Sequence, residues 1–106
     1  MKALKANVTR WYEDGCPPWV EIQFPLADEK TATLIEKTVA FEGGDDLTAA
    51  TTYPVPVRLD CQVLHTELDQ SGRQVAVVTL EYDLEDLEGN TEFRVPIDCL
   101  EGLADT

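Results

Sequence analysis

This sequence holds one histidine, His65, and only eight basic residues among 106. Both scarcities exclude chemistry. His65 lies four residues from Cys61 on one alternating stretch, and at about 3.3 Å per residue an extended chain sets them roughly 13 Å apart, too far for a Cys–His dyad. Cys16 and Cys99 are the other two thiols, and no adjacent residue would activate either. No Cys-x-x-Cys or His-x-x-x-His spacing occurs, which argues against a structural zinc. An odd set of widely spaced cysteines also suits free thiols in a reducing cytosol better than a disulfide framework.

Other absences narrow the field further. Gly43-Gly44 is not followed by the Gly-Lys-Ser/Thr of a phosphate loop, and Asp45-Asp46 would repel the phosphates. No apolar run is long enough to cross a bilayer, and the opening MKALKANVTRW lacks the apolar centre of a secretory leader. Three Phe, three Tyr and two Trp leave few aromatics to line a sugar cleft once a core is built, which weakens a paired-carboxylate glycosidase reading. The expectation is a cytoplasmic protein with no catalytic residue, no cofactor and no metal.

What the chain does have is acid. Twenty-one Asp and Glu give a net charge of -13, unevenly spread. Residues 81–106 hold nine acids and one base, Arg94, whereas residues 1–80 hold twelve acids and seven bases. Such a field repels nucleic acid and anionic lipid, and it steers basic partners toward the surface. The same acidity would also keep a small protein soluble with no partner at all. Apolar residues at 43% are ordinary for a globular chain, so the acidity does not signal disorder. The length suits one domain, 1–106.

The dominant period is two. Val57, Leu59, Cys61 and Val63 alternate with polar neighbours, as do Val20, Ile22, Phe24 and Leu26, and Phe93, Val95 and Ile97. Pro25 and Pro96 mark their runs as edge strands or strand ends. Val75-Ala76-Val77-Val78 is apolar on both faces and belongs inside a sheet. Leu4, Ala6 and Val8 begin a first strand that extends toward Trp11 and Tyr12. Ile35, Val39 and Phe41 suggest a third strand, interrupted by Lys37. Asp69-Gln70-Ser71-Gly72 and Glu88-Gly89-Asn90 read as tight turns. Within the long connection 42–56, Asp45 to Ala50 can cap one helical turn. The pattern predicts an all-β fold, a small antiparallel barrel or sandwich of about six strands.

One stretch concentrates the charge: Glu81-Tyr82-Asp83-Leu84-Glu85-Asp86-Leu87-Glu88, with five carboxylates in eight residues. It does not match a calcium loop, because Leu84 and Leu87 break the ligand spacing and Gly89 comes too late. Two expectations compete. In one it is a charged end to the fifth strand, with Tyr82, Leu84 and Leu87 turned inward. In the other Glu81, Asp83, Glu85, Asp86 and Glu88 form a surface that captures a basic protein partner. That second expectation takes its sharpest form in an immunity-type inhibitor of a basic nuclease toxin. A nucleic-acid mimic that blocks a DNA-binding protein has the same charge and size, and a small-ligand barrel or enzyme would need a pocket.

Overall fold

The computed structural model of the chain describes residues 2–102. The architecture is all-β, a curled antiparallel sheet that forms a half-barrel. Its strands are β1 (Lys2–Glu13), β2 (Trp19–Pro25), β3 (Thr31–Lys37), β4 (Val55–Leu68), β5 (Gln74–Leu80), β6 (Glu92–Pro96) and β7 (Leu100–Gly102). They run in the order β3-β2-β1-β4-β5-β6, and the short β7 pairs with the start of β1. Both prolines end their strands, β2 at Pro25 and β6 at Pro96, because a residue without an N–H cannot continue a ladder.

Alternation decides which face is buried. Leu4, Ala6 and Val8 of β1 point inward between exposed Lys5 and Asn7, and Val57, Leu59 and Cys61 of β4 do the same opposite them. Val20, Ile22 and Phe24 of β2 complete the wall. The Phe24 and Phe93 rings meet edge to face, with centroids 5.2 Å apart and planes at 85°. That contact sets β2 against β6 across the half-barrel. Two backbone hydrogen bonds stitch the same seam: Ala27 N–H to the Arg94 carbonyl at 2.8 Å, and Leu87 N–H to the Thr33 carbonyl at 3.0 Å.

Two expectations need correction. In the third strand the inward residues are Ala32 and Leu34, not Ile35, and Val39 is exposed in a 3-10 turn beyond the strand end. The pairing explains this: Ile22 faces Leu34 and Phe24 faces Ala32, and cross-strand partners share a face. The helical turn is a 3-10 turn over Gly44–Asp46 rather than a turn reaching Ala50. It is wedged under Thr38, whose carbonyl would collide with any Cβ at Gly44. His65 lies inside β4, which runs on to Leu68. A bulge between Val63 and His65 turns that side chain out to solvent, whereas Cys61 faces the core. The short β7 has only three residues, too few for an alternation to show in the sequence.

Candidate functional site

The acidic stretch begins where β5 stops at Leu80. Val75 to Val78 are all buried, so β5 is held on both faces, and the chain must then turn sharply to reach β6. Glu81–Asp83 makes that turn, with two successive residues in the left-handed region: Tyr82 at φ 63° and Asp83 at φ 54°. The reversal aims Leu84 back into the core, where it is 9% exposed. Tyr82 and Leu87 are not turned inward as the pattern suggested. They stand 79% and 65% exposed. The left-handed pair ends the strand alternation that would set Tyr82 and Leu84 on one face, and Leu87 lies in the separate turn that follows.

Asp86 has a separate task. Its Oδ1 accepts the N–H of Glu88 at 3.0 Å and of Asn90 at 2.8 Å, and its Oδ2 accepts from the Asn90 amide at 3.0 Å. Partial desolvation pushes the carboxyl up, but the bonds from Asn90 and Glu88 outweigh it and hold the group below its ordinary value. The aspartate organises the five-residue turn Asp86–Asn90. Leu87, at the tip of that turn, makes the backbone bond to Thr33. Of the five carboxylates singled out from the sequence, Asp86 is therefore committed to structure. Glu81, Asp83, Glu85 and Glu88 are exposed and form no ion pair among the described residues.

The basic residues are arranged elsewhere. Arg10, Arg58, Arg73 and Arg94 each pair with an acid, Glu21, Glu101, Asp69 and Glu67 respectively. None of these pairs reaches the 81–88 segment. One carboxylate does approach it from β3. Burial raises Glu36 above its usual range, and nearby Glu85 adds a repulsion that only partly offsets the pull of Lys37. Glu36 escaped the sequence reading because nothing local links it to a turn so far along the chain; the β3 seam brings them together.

Two of the three thiols are held in the protonated form. Cys61 is buried and desolvation pushes its pKa up to about 11, with Asp60 adding to the effect. Cys99 is raised by desolvation and by Asp98, and Cys16 is exposed. Both raised thiols hold their protons at neutral pH, and the thiolate is the reactive form. Among the described residues no three His, Cys, Asp or Glu side chains converge as a metal site, and no helix is long and apolar enough to cross a membrane. The exposed surface of the turn is thus an aromatic ring and a leucine among four uncompensated carboxylates. No family model, curated protein or solved structure matches the chain.

Proposed function

We propose that this protein is a non-catalytic binding protein that captures a basic protein partner through the segment Glu81–Glu88. The observation that carries the reading is Tyr82. A bulky side chain in the left-handed region costs about 1–2 kcal/mol, and a glycine would remove most of that cost. Yet Tyr82 sits there 79% exposed, giving little to the core in return. Backbone strain of this kind is a pointer to function. Tyrosine is a frequent anchor of protein interfaces, and carboxylates around an anchor speed the encounter with a basic surface. Glu81, Asp83, Glu85 and Glu88 supply that rim, and Leu87 enlarges the apolar centre.

The sharpest form of the proposal is immunity-type inhibition, in which the partner is a basic nuclease toxin that the acidic surface blocks. Three free thiols support a reducing, cytoplasmic setting for it. The test is capture from the native host on immobilised protein, at low and at physiological salt. Wild type, Tyr82→Gly and the triple variant Asp83→Asn, Glu85→Gln, Glu88→Gln are compared side by side. A basic protein retained by wild type and released by both variants supports the reading. Equal retention by all three refutes it. A retained DNA-binding protein that lacks nuclease activity would replace toxin inhibition with nucleic-acid mimicry.

A further inference from the structure

A different part of the fold holds a cleft. Along one edge β1 changes partner: Lys2–Leu4 pairs with β7, and from Asn7 onward the strand pairs with β2. Between those two contacts, beside Lys5 and Ala6, a cleft of about 640 Å³ opens. Its size falls within the roughly 300–1,000 Å³ of small-molecule sites. Pro25, Pro56 and Gly43 give it apolar walls, and Asn7 contributes an amide.

The charges in the cleft are laid out in a row. Lys5 on β1 lies directly opposite Arg58 on β4, and Arg58 lies opposite Glu42 through an isolated bridge on the far side. Arg58 is already neutralised, its Nε 2.7 Å from a Glu101 carboxylate oxygen. Lys5 and Glu42 are exposed, and neither forms an ion pair among the described residues. The cleft therefore presents one cation and one anion on either side of a spent pair. Their backbones are two strand spacings apart, about 10 Å at ~4.8 Å each.

That layout selects a ligand. A simple anion would meet Glu42 and the repulsion of a chain with a net charge of -13. A molecule with both charges and no net charge avoids the long-range penalty and answers both side chains. An extended peptide spans at most ~3.3–3.6 Å per residue, so two or three residues bring opposite termini about as far apart as Lys5 and Glu42. We propose that the cleft binds a short zwitterionic peptide, with its C-terminal carboxylate on Lys5 and its N-terminal ammonium on Glu42. Asn7 hydrogen-bonds the ligand backbone, and Pro25 and Pro56 take its side chains.

The test is a titration of the full chain with trialanine, followed by amide chemical shifts. N-acetyl-trialanine and trialanine amide serve as probes that lack one terminal charge each. The proposal expects saturable shifts around Lys5–Asn7, Gly43, Arg58 and Cys99–Glu101. Loss of one ion pair to an exposed side chain should weaken either capped peptide about two- to fivefold. Lys5→Gln should abolish discrimination against the amide alone, and Glu42→Gln discrimination against the acetyl peptide alone. Absence of saturable shifts, shifts centred elsewhere, or equal binding of free and capped peptides by wild type would each overturn the assignment. The capped-peptide arm needs no variant, so it stands even if a substitution disturbs the fold.

Discussion

In Asp69–Arg73 and again in Asp86–Asn90, an aspartate at the first position accepts the N–H groups of the third and fifth residues. A glycine at the fourth takes a left-handed φ, 84° at Gly72 and 82° at Gly89. The backbone bonds repeat too: each glycine N–H reaches its aspartate carbonyl at 3.0 Å, and each aspartate N–H reaches the fifth carbonyl. This is a three-residue hairpin loop with a left-handed closing residue, built twice. The surroundings differ. The first turn joins β4 to β5 directly and projects into solvent, with Leu68 beside it 65% exposed. The second hangs between an anchored Leu84 and the Thr33 edge of β3, and it follows two non-glycine residues in left-handed backbone. Equal local chemistry thus yields a plain connector in one place and a tethered, acidic, aromatic-bearing surface in the other.

The largest expected effect separates the two tethers. Leu84→Ala should cost about 2 kcal/mol, the lower end for a buried leucine because the site is at the rim of the core. Leu68→Ala should stay within about 0.5 kcal/mol, as for an ordinary surface change. Denaturant unfolding of both variants checks this, and equal losses would mean that the second turn is no better anchored than the first.

Next in size come the glycines, where the turns should behave alike. An added Cβ meets nothing within 4 Å at Gly72 or Gly89, so alanine there should cost only the left-handed backbone strain, about 1–2 kcal/mol. Matched losses on thermal or chemical unfolding would sharpen the likeness, and a much larger loss at Gly89 would show coupling to the seam. Tyr82→Gly should act in the opposite direction and stabilise by about 1 kcal/mol, since strain is relieved at an exposed residue. A destabilised Tyr82→Gly protein would remove the strain argument on which the binding proposal stands.

These turns also show how much of the molecule could be read in the sequence. Asp69-Gln70-Ser71-Gly72 and Glu88-Gly89-Asn90 carry their turn chemistry in adjacent residues, so both were legible. The strands of β1, β2 and β4 were legible because one face of each is buried and the alternation is clean. A third turn of the same backbone, Leu26–Lys30, lacks both the leading aspartate and the glycine: it has the same two backbone bonds, but Glu29 occupies the left-handed position at φ 71°. The apolar pattern of the third strand runs one residue out of phase with its buried face, which is set by pairing with β2. The acidic segment was found, but its division of labour was not. Asp86's hydrogen bonds and Tyr82's left-handed backbone depend on a turn geometry that composition does not specify, and Glu36 joins through the tertiary seam.

The smallest effect is a pH signature. Asp69 is held below its ordinary value of 3.8, first by the Ser71 hydroxyl, and Asp86 is lowered by the corresponding network. A depressed folded-state value means that this stabilisation is present above 3.8 and is lost as pH falls through the lower, folded value. Glu36 has the opposite sign. Its value is raised above 4.5 by desolvation, so its contribution favours folding below 4.5 and is lost as pH rises through the raised value. Unfolding profiles should therefore flatten at the acid end for Asp69→Asn and for Asp86→Asn, and become slightly more stable at neutral pH for Glu36→Gln. An unchanged acid limb in both aspartate variants would show that the turn hydrogen bonds do not hold these carboxyls below their ordinary value in the folded protein.

Our proposal is that the segment Glu81–Glu88, and not the protein's charge in general, meets the partner. It is tested by the association rate of the captured basic protein with wild type and with two triple variants of equal charge. One neutralises Asp83, Glu85 and Glu88, leaving Asp86 to hold the turn. The other neutralises three exposed acids outside that segment, Glu13, Glu29 and Asp98. Salt screens such attraction over about 8 Å at physiological ionic strength, so the rates are compared at low and at physiological salt. Association should be slow for the first variant alone, with the deficit shrinking as salt rises. Equal slowing of both variants, or no slowing of either, would contradict it.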